Sequence, residues 1–175
     1  TPAGKNTIVI VLADHGDGMG SHRMVTKQVS FYEEMTNVPF IIAGPGIHPR
    51  QKPVEDLLTQ PTIDLLPTLC ELAGIPVPSS KPGISLAPFL KGEKQKRQHP
   101  YAASEWHSEY EVTVSPGRMI RSPRYKYTHY LEGNGEELYD MLKDKGERRN
   151  LAHDPKYSKI LAEHRALLDD YIRRT

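Results

Sequence analysis

The chain of 175 residues contains a single cysteine, Cys70, which excludes an intramolecular disulfide, a CxxC redox pair and a thiolate zinc cluster. It also lacks an excess of either charge. Its 23 Lys and Arg against 22 Asp and Glu leave a net +1, so bulk electrostatics point to no nucleic acid and no membrane surface as partner. No apolar run approaches the roughly 18 residues that cross a bilayer, and no basic-then-apolar segment stands at residue 1. There is no HExxH and no P-loop, and Gly16, Gly18 and Gly20 do not have the GxGxxG spacing of a dinucleotide turn. An EF-hand loop counted from Asp14 would need a glutamate where Val25 stands. Internal repeats, low-complexity tracts and heptads are missing as well.

What is present divides into two textures. The run Thr7-Ile-Val-Ile-Val-Leu-Ala13 is β-branched and does not alternate, which predicts a strand buried on both faces of a parallel sheet. A second strand is expected over Asn37–Ala43, closed by the turn Gly44-Pro-Gly46. A helix is expected over 61–73, with Pro61 at its first position and Gly74 as its stop. Leu65, Leu66, Leu69, Cys70 and Leu72 would form its apolar surface, and Pro67 should bend it. Residues 75–99, with Pro76, Pro78, Pro82 and Pro88, read as an extended surface connection. Residues 1–99 are therefore expected to be α/β, part of a mostly parallel sheet with flanking helices.

Residues 100–175 predict a small C-terminal subdomain with an antiparallel sheet and a helix. Its strands fall at 101–106, 117–121 and 125–131, with a turn at Ser122-Pro123-Arg124. Asp154 can cap a helix beginning at Pro155, in which Ile160, Leu161, His164, Leu167, Leu168, Tyr171 and Ile172 share the face that packs on the sheet. The opening Thr1-Pro-Ala-Gly-Lys-Asn6 drops straight into a core strand, an abrupt start that reads as that of a fragment.

The chemistry gathers where the first strand ends. Ligands collect outside the carboxyl ends of strands in open α/β sheets, and there the sequence places Asp14, His15, Asp17, His22 and Lys27 among three glycines. Asp14 and His15 can present an oxygen and an imidazole nitrogen to a hard divalent cation; equally, Asp14 can form a turn and His15 bond to backbone. Lys27 and His22 beside a cation would favour a tetrahedral oxyanion, phosphate or sulfate, or else be solvated loop residues. Phe31-Tyr-Glu-Glu34 reads as a structural anchor for the loop's return.

The ordered set Asp14-His-Gly-Asp17, Gly20, His22, Lys27, Phe31-Tyr-Glu-Glu34 and Val38-Pro-Phe-Ile-Ile42 resembles the carboxy-terminal part of the type I sulfatases of the alkaline phosphatase superfamily. Further segments agree: Asp64-Leu-Leu-Pro-Thr-Leu69 with Ala73-Gly-Ile75, Arg118-Met-Ile-Arg121 with Tyr125-Lys-Tyr127, and Glu137-Leu-Tyr-Asp140 with Glu147 and Asn150-Leu-Ala152. The resemblance implies calcium-dependent hydrolysis of a small-molecule or saccharide sulfate ester by a formylglycine nucleophile. Asp14 and His15 would ligate the calcium. Lys27 would contact the sulfate or the leaving oxygen, and His22 would line the same pocket. Trp106 and His107, in Ser104-Glu-Trp-His-Ser108, would read the substrate. A periplasmic or secreted location is also implied.

One departure limits that reading. The formylglycine precursor is the first residue of a Cys-or-Ser-x-Pro-x-Arg motif, and nothing here fits it. Cys70 is followed at the relevant positions by Leu72 and Gly74, and Ser80-Lys-Pro82 by Ile84 instead of arginine. The 175 residues alone are expected to be inactive, needing an amino-terminal portion of the same enzyme or covering an apolar face by self-association. Two other readings stay open: a phosphoesterase or phosphonate hydrolase of the same superfamily, and a non-catalytic module that binds an anion or another chain.

Overall fold

The apolar run at the start does become a strand, β1 (Val9–Leu12), but its partner is β2 (Phe40–Ala43) and the two pair antiparallel, Val9 opposite Ala43 and Leu12 opposite Phe40. The expectation of a mostly parallel, doubly buried sheet is therefore corrected. Among the described residues β1 and β2 form a two-stranded ribbon, and Val9 and Val11 are 55% and 51% exposed. An unalternating β-branched run specifies an extended backbone but carries no information about which strand pairs with it, or in which direction. The computed structural model describes residues 2–25, 30–54, 57–79, 83–93, 99–107, 116–133 and 135–175. Lys27 lies outside them.

The chain resolves into two compact units, one comprising Thr1–Asp14 with Val38–Pro100 and the other His15–Asn37 with Tyr101–Thr175. In the first unit, helix α2 (Pro61–Ala73) spans the expected residues, following the four-residue turn α1 (Glu33–Thr36) of the second unit in chain order. Gly74 ends α2 in the left-handed conformation at φ 68°, as a C-terminal glycine does. The helix runs through Pro67 as one element. The expected apolar surface is buried only in part: Cys70 is buried, Leu65 and Leu72 are half-buried, and Leu66 and Leu69 are exposed, while Asp64, Pro67 and Thr68 are buried as well.

Asp64 is buried with a full set of partners. Its carboxylate accepts the Gln60 and Ile84 backbone N–H groups at 2.8 and 2.9 Å and meets His99 Nε2 at 2.9 Å. Thr68 Oγ1 accepts the Leu86 N–H at 2.9 Å and donates to the Asp64 carbonyl. These bonds draw the 83–91 segment onto the helix, where it forms the short α3 (Ala87–Leu90) with Leu86 and Ala87 buried. That part of the proline-rich stretch is packed structure, not a surface connection. A fully buried carboxylate is sustained only by such a complete set of donors.

The second unit is an antiparallel sheet in the order β3 (Ala102–Trp106), β4 (Gly117–Arg121), β5 (Tyr125–Tyr130) and β6 (Glu136–Asp140). The turn between β4 and β5 forms where Pro123 predicts it, with the Ser122 N–H donating to the Tyr125 carbonyl at 2.9 Å. Helix α4 (Ser158–Arg174) follows one turn of 3-10 helix at Pro155–Tyr157, whose cap is the Asp154 side chain accepting from the Lys156 N–H. Leu161 and Leu168 of α4 join Ile120, Tyr127 and Leu138 of the sheet in one core. This is mixed α/β architecture with an antiparallel sheet and a C-terminal helix. The period-3.6 and period-2 patterns meet on its inner face.

Candidate functional site

The other face of that sheet receives the loop that follows β1. Register places Trp106, Gly117 and Tyr130 side by side across three strands, and Phe31, buried, packs there. A Cβ on Gly117 would come within 2.8 Å of the Phe31 ring. Glu33 then plugs the returning loop into the sheet. Its N–H donates to Glu147 Oε2 at 2.6 Å, and its carboxylate lies 2.9 Å from Lys126 Nζ and 3.5 Å from Arg121 Nε. The expected anchor at 31–34 is thus confirmed in position, though Glu33 bonds to the sheet and its flanking turn, not to the loop's own backbone. Lys126 also stands 2.9 Å from Glu147 Oε1. Burial opposes charge on both carboxylates. For Glu33 the Lys126 and Arg121 charges outweigh it and hold the carboxyl below its usual range, whereas burial prevails at Glu147 and pushes it up.

The front of the loop is tightly wound. The Gly16 N–H donates to the Met35 carbonyl at 2.9 Å, and a Cβ at Gly16 would run into the Glu34 carbonyl oxygen. Gly18, Gly20, Ser21 and Met24 close a turn through backbone bonds of 2.7 to 2.8 Å, with Met24 buried. Met19, His22 and Arg23 all have positive φ, at 46°, 50° and 64°. Non-glycine residues persist there only when their surroundings over-determine them, and such clusters mark functional segments.

Within this frame His22 is half-buried, its ring stacked on Tyr32 and its Nε2 4.0 Å from Glu34 Oε2. His15 donates its Nδ1–H to the Gly16 carbonyl at 2.8 Å, which selects the tautomer with the lone pair on Nε2. That backbone bond is the customary arrangement behind a metal-ligating imidazole. Asp14, exposed, closes the first unit and His15 opens the second. Asp17 accepts the Met19 N–H at 3.4 Å, a turn-forming role. Among the described residues no group of three or more His, Cys, Asp and Glu side chains could hold a metal ion. The donor chemistry of Asp14 and His15 fits a hard cation, as part of a larger ligand set.

Trp106 ends β3 with its side chain 37% exposed, and His107 follows it, exposed. The structure therefore brings His22 and Trp106 into one unit, the loop docking beside the strand that presents the indole. Arg121, Lys126, Tyr139 and Glu147 lie about a hundred positions from the loop; the sequence marked them only as parts of the family segments, and their role in holding the loop was not legible there.

A family profile described as N-sulphoglucosamine sulphohydrolase, C-terminal, matches residues 20–174. The chain is 78% identical over 175 residues to the Δ4,5-hexuronate-2-O-sulfatase of Bacteroides thetaiotaomicron, covering all of this chain and 36% of that protein. It thus spans about a third of that relative's length. A solved 2-O GAG sulfatase superposes with a TM-score of 0.95 at 78% identity, over 99% of this chain and 38% of the other. The phosphonate monoester hydrolase of Agrobacterium radiobacter superposes with a TM-score of 0.81 at 26% identity, over 97% and 36% of the two chains.

Proposed function

The chain belongs to the sulfatase family, as its C-terminal region, and from that membership we propose that it forms part of an enzyme hydrolysing a saccharide sulfate ester, with a 2-O-sulfated hexuronate as substrate. The observation that carries this reading is 78% identity along the entire chain to the hexuronate-2-O-sulfatase. Identity at that level supports a shared site chemistry and not only a shared fold.

Asp14 and His15 each ligate calcium, His15 through the Nε2 that its bond to Gly16 leaves as acceptor. Calcium, when bound, supplies positive charge to the sulfate oxygens. Lys27 and His22 would add donors to the same developing negative charge, contacts that favour the transition state over the ester. Trp106 offers an indole face to the sugar and His107 a polar contact beside it. No residue of this chain fits the precursor of a formylglycine: Cys70 is buried within α2 and lacks the flanking motif. The 175 residues therefore bind and orient without carrying the nucleophile.

A phosphonate or phosphate monoesterase is the second reading, favoured by the structural likeness to the phosphonate monoester hydrolase. The deciding experiment compares the protein in the full length its gene encodes with the 175-residue chain, on an unsaturated 2-O-sulfated disaccharide and on a phosphonate monoester, with calcium and with a chelator. Chelator-sensitive sulfate release by the full-length protein alone is expected. Preference for the phosphonate would decide for the second reading, and turnover by the 175-residue chain would refute its dependence on a missing nucleophile.

A further inference from the structure

Three tyrosines gather around one carboxylate behind the loop. Tyr130 Oη donates to Glu137 Oε2 at 3.3 Å, and the Tyr32 and Tyr139 rings meet at 6.4 Å between centroids, tilted by 55°. Burial pushes the Glu137 carboxyl above its usual range, and the Glu147 charge adds to the effect. Burial likewise raises all three phenols, so each keeps its proton and remains a donor. Nothing in the proposed chemistry uses this cluster directly. Its one outward extension is the Tyr32 ring, which lies parallel to the His22 imidazole at 3.7 Å between centroids with 2° between planes.

His22 needs such a hold. Its backbone is left-handed at φ 50°, and backbone bonds pin the ends of its turn. An imidazole on a short surface loop would otherwise move among rotamers, and each misplaced one would forfeit a contact made in the transition state. The groups facing it are Glu34 of α1, 4.0 Å from Nε2, Tyr32, and Glu137 of β6 behind the tyrosines.

We infer that Tyr32 is a positioning residue for His22: its ring fixes the imidazole plane, and its packing against the Tyr139 ring, beside Glu137, fixes Tyr32 in turn. This rests on the reading of His22 as an anion contact in sulfate-ester hydrolysis. The aromatic position in Phe31-Tyr-Glu-Glu34 is thereby more than a loop anchor. It transmits the rigidity of the sheet to a side chain that must meet the substrate in one orientation.

The test uses the full-length protein with isotope-labelled histidine and the variants Tyr32→Phe, Tyr32→Leu, Glu137→Gln and His22→Ala. In the wild type and in Tyr32→Phe, ring current from the stacked aromatic displaces the His22 Cε1–H resonance, whereas in Tyr32→Leu the displacement vanishes. Turnover of the sulfate ester is expected to fall about tenfold to a hundredfold in kcat for Tyr32→Leu, as for a misplaced catalytic group, with KM nearly unchanged. Tyr32→Phe and Glu137→Gln are expected to lose only a few-fold, because the stack survives while its anchor loosens. Full turnover in Tyr32→Leu, in a protein where His22→Ala is impaired, would overturn the inference alone. A loss in Tyr32→Phe as deep as in Tyr32→Leu, with the stack retained, would also overturn it. Full turnover in His22→Ala would remove the reading of His22 and the inference with it.

Discussion

Lys126 Nζ stands 2.9 Å from Oε1 of Glu147, and each of the two side chains is 1% exposed. With Glu33 at 2.9 Å on the other side, one buried cation serves two carboxylates. The pair joins a strand interior to a turn residue whose own backbone is left-handed at φ 49°. Removing one partner of such a buried group strands the other without compensation.

Lys126→Met is therefore expected to destabilise the protein by about 3–5 kcal/mol at neutral pH. The Glu147 carboxyl, already pushed up by burial, takes up a proton first when the ammonium is gone. The gap between variant and wild type should accordingly narrow as pH falls from 7 toward 5. Urea denaturation at a series of pH values measures it, and a gap that stays constant or widens toward acid would contradict the assignment.

His164, buried on α4, donates Nδ1–H to the Ile160 carbonyl at 2.8 Å and so accepts the Ser122 hydroxyl on Nε2 at 2.9 Å. Burial holds its imidazole below the usual range. The unfolded chain then binds the proton more readily, so stability is full above the unfolded value near 6.5 and declines as pH drops through that value toward the folded one. His164→Gln should flatten this limb between about pH 7 and 5. Equal slopes in variant and wild type would show that the limb belongs to other groups.

Gly16→Ala would drive a methyl group into the Glu34 carbonyl and must displace the loop that carries His22. A loss of about 1–3 kcal/mol is expected, as for overpacking, together with altered amide shifts across residues 15–24. A two-dimensional NMR spectrum superimposable on the wild type would rule this out.

Asp64→Leu removes the acceptor shared by Gln60, Ile84 and His99. Each buried donor left unsatisfied costs about 1–3 kcal/mol, and the damage should concentrate at the 83–91 segment. Hydrogen exchange is expected to accelerate at Leu86, whose N–H depends on Thr68, before it does so on α4. Uniform acceleration across both units would instead indicate a single cooperative collapse.

Several elements were legible because their causes are local. Pro61 and Gly74 bracket α2; Pro123 and the alternation around it specify β4 and β5; Asp154, Pro155 and the spacing Leu161, His164, Leu168 specify α4 and its inner face. The loop from Asp14 to Phe31 stands out in the sequence as the candidate site because it crowds carboxylates, imidazoles and glycines at a strand end. Strand direction was not legible: Thr7–Ala13 reads the same whether its neighbour runs parallel or antiparallel. Nor was the burial of Asp64 on α2, where a single carboxylate with its full set of donors joins Cys70 on the buried side.

By itself the chain's order of residues determined where backbone could be helical or extended, which segment gathers the candidate side chains, and to which family the chain belongs. Only tertiary structure decided how that segment is held. Glu33 bonds to Glu147 across 114 positions, and Tyr32 passes the rigidity of Tyr139 and Glu137 to His22. Propensity and periodicity act over a turn or a strand, whereas a buried charge or a stacked ring is stable only when the fold delivers its partner from elsewhere.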